Sequence, residues 1–217
     1  MSNKPSIKIC CIASVEEANL AIEYGASALG LVSSMPSGPG VIQEERIKQI
    51  ADAVPSNIAT FLLTSEQDSA KIIEQHGRCG TTTIQIVDKL KSGTHSELKA
   101  ALPCIKIVQV IHVTNEDSIK EAVNIAPFVD AILLDSGNQS LTVKELGGTG
   151  RTHNWDISKK IVSTVNVPVY LAGGINPNNI REAFEIVRPY GIDLCSGVRT
   201  DGKLDERKLS ALFSKIN

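Results

Sequence analysis

Val169-Tyr170-Leu171-Ala172-Gly173-Gly174-Ile175-Asn176-Pro177 is a short apolar run that ends in small residues, and Ile192-Asp193-Leu194-Cys195-Ser196-Gly197-Val198 echoes it. Asn176 has the side chain of a helix N-cap, and Pro177 the fixed φ that suits a first helical turn. The pattern predicts a strand, a glycine turn and a helix start. Backbone N–H groups at such a turn can converge on an anion, because glycine leaves the approach open and the helix dipole favours negative charge. Gly173-Gly174 alone would serve equally well as a tight turn. Two such turns near the end of an alternating chain instead match the phosphate cradle of a (β/α)8 barrel, built by the loops after strands seven and eight.

Working outward, the same unit recurs along the chain. Ile7 to Ile12 is a β-prone run, Ser14 and Glu17 have the spacing of a capping box, and Gly25 ends the helix that follows. Strands are predicted at 28–32, 57–63, 82–87, 105–110, 129–134, 167–171 and 192–195. Helices are predicted at 42–53, 66–75 (capped by Ser65), 96–101, 115–124, 156–164, 176–187 and 205–216. The strands are short and continuously apolar, as in a parallel sheet covered on both faces. About eight such units, with no glycine fingerprint after the first strand and no linker, predict an α/β fold: a single (β/α)8 TIM barrel spanning 1–217.

Composition narrows the function classes. With 217 residues, 42% hydrophobic and 21% charged, the chain can bury a substantial core, and its net charge of −2 argues against a nucleic-acid surface. No run approaches a membrane span, and the N-terminal residues lead straight into a strand, so neither a membrane partner nor a leader is expected. Five cysteines without C-x-x-C spacing point away from zinc and disulfides and toward a reducing cytoplasm. The histidines have no metal-ligand spacing.

In such a barrel, reactive side chains lie where strands end at the C-terminal face. Cys10 and Cys11 end the first strand, and strand alternation predicts that only one of them faces the interior. Free cysteine is commonly a small core hydrophobe, so position alone does not make either reactive. Asp135 closes the apolar run 131–134, where a carboxylate must be solvated, hydrogen-bonded or used. His112 points to the same rim. Lys8 is either an interior charge or a cap on the lower end.

Five separated motifs make the resemblance specific. Lys8-Ile9-Cys10-Cys11-Ile12-Ala13, Leu133-Leu134-Asp135-Ser136, Gly147-Gly148-Thr149-Gly150-Arg151-Thr152-His153-Asn154-Trp155, Leu171 to Pro177, and Tyr190 to Arg199 follow in order. Together they make the chain similar to the phosphoribosylanthranilate isomerase family of tryptophan biosynthesis. The resemblance implies an Amadori rearrangement, an aldose–ketose isomerisation of an N-phosphoribosyl substrate. It implies Asp135 as general acid, Cys10 as general base, and Gly148, Gly173, Gly174, Ser196 and Gly197 as the phosphate cradle. The expected partner is a small phosphorylated sugar, with no cofactor or metal, in a cytoplasmic monomer or homodimer.

The chain also departs from the family pattern. The family's P-K-S-P-R-x-V loop, whose Arg is associated with the anthranilate carboxylate, reads Pro36-Ser37-Gly38-Pro39-Gly40-Val41 here. Cys11 stands where the family has Gly, Ala13 where it has Thr, and Val87-Asp88 where it has H-G. The phosphate half is retained and the aglycone half rewritten. The readings are therefore an isomerase of phosphoribosylanthranilate, a paralogue acting on another phosphorylated sugar or N-glycoside, or a non-catalytic phosphometabolite-binding barrel.

Overall fold

The computed structural model describes residues 4–137, 150 and 152–216. Eight parallel strands close into a barrel in chain order. They are β1 (Ser6–Ile9), β2 (Ala28–Val32), β3 (Ala59–Thr64), β4 (Thr83–Ile86), β5 (Lys106–His112), β6 (Ala131–Asp135), β7 (Val169–Leu171) and β8 (Gly191–Leu194). The helices are α1 (Val15–Tyr24), α2 (Glu44–Ala53), α3 (Ser69–Cys79), α4 (His95–Ala101), α5 (Asp117–Ile125), α6 (Trp155–Thr164), α7 (Ile180–Val187) and α8 (Glu206–Ile216). A small hairpin, β9 (Arg199–Thr200) with β10 (Lys203–Leu204), precedes α8. No described helix is long and apolar enough to cross a membrane.

Alternation along each strand sorts the core into two shells. Outward residues such as Ile9, Leu29, Leu31, Leu62 and Ile192 pack with Ile47, Ile72, Ile161 and Leu212 of the helices. Inward residues such as Phe61, Val108, Val110, Leu133 and Tyr170 fill the barrel. At its lower end Phe61, Tyr170 and Tyr190 form an edge-to-face chain, with ring centroids 5.9 and 5.5 Å apart. Above this aromatic floor lies Lys8, fully buried, its Nζ 5.1 Å from the Phe61 ring centre. Lys8 is therefore an interior charge.

Helix starts differ in detail from expectation. The helix predicted from Glu66 begins at Ser69, because the preceding residues run against Lys91 and Ser92, whose amides donate to the Gln67 carbonyl. Asp68, not Ser65, caps it, accepting from the amides of Ala70 and Lys71. Regular α7 starts at Ile180, a turn later than expected, yet Asn176 makes the bonds predicted of a cap, its side chain accepting from Asn178 N and its carbonyl from Ile180 N. Only half of the capping box at α1 forms. Ser14 accepts from Glu17 N, but the Glu17 carboxylate takes the amides of Ala13 and Leu204.

The β7–β8 seam leaves no room for a side chain at Gly191. A methyl there would fall 2.5 Å from Tyr170 Cε1 and 2.9 Å from the Ser6 carbonyl oxygen. Gly191→Ala should therefore destabilise the barrel by about 1–3 kcal/mol, the usual cost of overpacking. Chemical denaturation should show this as a lower midpoint at unchanged slope, and an unchanged midpoint would refute the packing argument.

Candidate active site

The C-terminal mouth of the barrel holds a cavity lined by Cys10, Asp135 and Asp193 on one side and by Gly173, Gly174 and Ser196 on another. These residues come from β1, β6, β8 and the loops after β7 and β8. Cys10 and Asp135 are 5% and 8% exposed, so each can be reached by a ligand yet is shielded from bulk water.

Alternation puts Lys8 and Cys10 on the same inward face of β1. The Lys8–Asp193 ion pair, 2.9 Å long, joins residues that are register partners on β1 and β8. Burial alone would lower the Lys8 pKa, but the Asp193 carboxylate and the Cys10 thiolate outweigh it and hold the ammonium charged. Burial also raises the Asp193 pKa, and Lys8 partly offsets this. Asp193 lies in the second of the two decisive stretches but its charge had no assigned use. Its signal was a carboxylate inside an apolar strand.

Cys10 has its pKa lowered, first by the adjoining Cys11 thiol and then, against the effect of burial, by the positive charge of Lys8. Asp135 is shifted the other way. Burial raises its pKa, with the Ser136 amide, which donates at 2.7 Å, and the neighbouring His112 working against the rise. His112 is the register partner of Asp135 across β5 and β6, and its Nε2 lies 3.0 Å from the Val87 carbonyl oxygen. The cavity thus holds a thiol biased toward thiolate and a carboxyl biased toward its acid form. Such a pair can accept one proton and donate another.

The prediction that only one of Cys10 and Cys11 faces inward is corrected. Both line the cavity, because β1 ends at Ile9 and Cys11 takes a left-handed backbone, φ 63°. Arg199 holds that turn. Its guanidinium donates to the Cys10 carbonyl at 3.2 Å and the Cys11 carbonyl at 2.6 Å. Two further bonds reach the Glu17 carboxylate at 3.0 and 3.1 Å. The Cys11 side chain also occupies the space beside Gly40. A methyl at Gly40 would stand 2.5 Å from Cys11 Cβ, and its own φ of 79° disfavours any side chain.

The two glycine loops meet as the sequence pattern predicted. Gly173 and Gly174 have φ of 81° and 65°, and a methyl on Gly173 would press on Ser136 and His153. Asn176 and Asn179 both donate side-chain N–H groups to the Gly174 carbonyl, fixing that peptide. Ser196 begins a 3₁₀ turn, Ser196–Val198, at the far wall. Gly197 permits contact between the loops, since a methyl there would overlap the Ile175 carbonyl oxygen. Gly148, the remaining residue of the expected cradle, lies outside the described residues.

Residues 7–215 match the family model described as N-(5'phosphoribosyl)anthranilate (PRA) isomerase. The chain is 35% identical to N-(5'-phosphoribosyl)anthranilate isomerase 2 of Methanosarcina mazei, over 94% of this chain and 90% of that one. It is 34% identical to the N-(5'-phosphoribosyl)anthranilate isomerase of Bacillus cereus, over 96% and 97%. Among solved structures it resembles phosphoribosyl anthranilate isomerase of Thermotoga maritima, with TM-score 0.79 and 27% identity over 98% of both chains. A phosphoribosyl anthranilate isomerase in complex with reduced 1-(o-carboxyphenylamino)-1-deoxyribulose 5-phosphate gives TM-score 0.77 and 25% identity, again over 98% of both. By fold, by sequence along nearly its whole length and by the motifs at its mouth, this chain belongs to the N-(5'-phosphoribosyl)anthranilate isomerase family.

Proposed function

We propose that the chain converts N-(5'-phosphoribosyl)anthranilate to 1-(o-carboxyphenylamino)-1-deoxyribulose 5-phosphate, with Asp135 as general acid and Cys10 as general base. The observation that carries this reading is the opposed bias of these two buried groups in one cavity. Asp135 gives its proton to the ribose ring oxygen. The C1'–O bond breaks, and the nitrogen lone pair forms a C=N bond, leaving an open-chain iminium. Cys10 thiolate removes the C2' proton, and the C–H electrons move to give an enolamine, which tautomerises to the ketone. The Gly173–Gly174 and Ser196–Gly197 loops hold the 5'-phosphate, so the sugar carbons lie between the two reacting groups. No metal or organic cofactor enters these steps.

One observation favours a second reading, a paralogue acting on a different aglycone. Gly40 and Cys11 occupy one another's space, and among the described lining residues no lysine or arginine faces the cavity. A carboxylate on the aglycone would then lack a charge-assisted partner on that wall, unlike the family pattern. The discriminating measurement is kcat/KM for N-(5'-phosphoribosyl)anthranilate against its aniline counterpart. An anthranilate enzyme should prefer the carboxylate-bearing substrate by about tenfold or more, the worth of one charged hydrogen bond. Equal values favour the paralogue.

Loss of a positioned acid or base costs about 10²–10⁴ in rate. Cys10→Ser and Asp135→Asn should each lower kcat by that factor while phosphate-dependent thermal stabilisation persists. Retained turnover in Cys10→Ser would move the base to another group. The kcat/KM profile should be bell-shaped, falling on the acid side as the Cys10 thiolate is protonated and on the alkaline side as Asp135 loses its proton.

Lys8 supports the thiolate, so Lys8→Met should raise the Cys10 pKa and move the acid limb to higher pH. The same change strands Asp193, at a cost of about 3–5 kcal/mol in stability. Asp193→Asn in the Lys8→Met background should recover part of that loss in a denaturation series. An unmoved acid limb in Lys8→Met would remove the lysine from the mechanism.

A further inference from the structure

Gln85 lies on the inward face of β4, 3% exposed, and lines the mouth cavity. Its register partners on the flanking strands are Leu63 and Val108, both apolar. Among the described residues, β2 to β4 present Val32, Leu63 and Gln85 to the cavity, so Gln85 is the polar side chain of these three strands there. Its Oε1 is buried and, among the described residues, has no hydrogen-bond partner. A buried amide oxygen without a donor is costly and calls for a reason. The steps assigned to Cys10 and Asp135 leave Gln85 without a role.

The barrel fixes what Gln85 faces. β4 is four strands from β8 in either direction round the closed sheet, so it stands across the mouth from the Ser196–Gly197 loop. Cys10, just after β1, and Asp135, at the end of β6, occupy the two flanks between them. A substrate with its 5'-phosphate on the β7–β8 side and its sugar carbons between Cys10 and Asp135 directs C1' toward β4. The nitrogen that C1' carries then lies on the Gln85 side.

We propose that Gln85 is a further catalytic residue, its amide oxygen accepting the N–H of the substrate's glycosylic nitrogen as that nitrogen becomes an iminium. This role rests on the isomerase reading, since it needs a nitrogen that gains charge. Before ring opening the nitrogen lone pair is spread into the aromatic ring, and the N–H is a modest donor. Ring opening draws the lone pair into the C=N bond, places positive charge on nitrogen and makes its N–H a charge-assisted donor. The proton stays on nitrogen throughout, and Gln85 supplies only the negative end of its carbonyl dipole. The contact therefore strengthens on the way to the transition state and acts on kcat more than on KM. The terminal torsion of glutamine is soft, so the amide turns its oxygen to the ligand at little cost.

The test is a cycle of two proteins and two substrates, N-(5'-phosphoribosyl)anthranilate and its N-methyl counterpart, which forms an iminium with no N–H. Gln85→Met should lower kcat for the N–H substrate about ten- to a hundredfold, the worth of one hydrogen bond to a charged group, while KM changes less than about threefold. On the N-methyl substrate the wild-type chain and Gln85→Met should have equal kcat. Gln85→Asn, a milder change, keeps an amide in the barrel but draws its oxygen back by one methylene, and should show the same selective loss. Thermal stabilisation by inorganic phosphate should be alike in all three proteins, which reports an intact barrel and cradle. An equal fall on both substrates, or an unchanged kcat on the N–H substrate, in a variant that phosphate still stabilises would overturn the role of Gln85 and leave the isomerase reading standing. A wild-type chain that turns over neither substrate would overturn the isomerase reading and this role with it.

Discussion

An ammonium shut away from water is tolerable only beside its counter-charge, and Lys8 finds Asp193 at 2.9 Å on the neighbouring strand. That pairing exists only if β1 and β8 close the barrel with Lys8 opposite Asp193. A slip of β1 by one residue would turn Lys8 away from Asp193 into the apolar shell between sheet and helices, and would turn Cys10 with it. The ion pair is therefore a register lock at the seam where the first and last strands meet. It rests on an aromatic floor below Cys10, so the packing that closes the fold also sets the field in which Cys10 and Asp135 titrate.

That field acts in two directions. Lys8 and the Cys11 thiol favour the anionic form of Cys10, while desolvation favours the neutral form of Asp135. A carboxyl and a thiol in water would be ordered the other way, with the carboxyl ionised and the thiol protonated at neutral pH. The barrel moves both toward the opposite assignment. It does so through burial, the Cys11 thiol and one lysine.

Much of this was legible in the sequence, for reasons that can be named. The eight strands showed as apolar runs because each is covered on both faces, and the order of strand and helix fixed the topology. Cys10 and Asp135 could be placed because both sit at strand ends of the reactive face. Helix starts were less legible where a neighbouring segment holds the backbone, as Lys91 and Ser92 do ahead of α3. The charge at position 8 was undecidable from β1 alone, since its partner comes from a strand far along the chain. The inward turn of Cys11 was hidden because strand alternation holds only while the strand lasts.

Cys11 shows how a local departure recruits distant support. A left-handed backbone is natural for glycine and costs a cysteine of order 1–2 kcal/mol. Here the two carbonyls at the turn accept from Arg199, whose charge is in turn met by Glu17 of α1. Several buried charge-assisted bonds of this kind can offset such strain. The price falls elsewhere: the Cys11 side chain occupies the wall beside the loop that carries Gly40, where the family pattern would place an arginine. Residues 11, 40 and 199 are therefore one structural unit drawn from three segments. A residue larger than glycine at 40 is incompatible with the present turn at 11, and the turn at 11 is held by 199. A return to the family's carboxylate-binding wall would have to change the set together, which makes this corner of the mouth, rather than the phosphate side, the part that sets this chain apart from its family pattern.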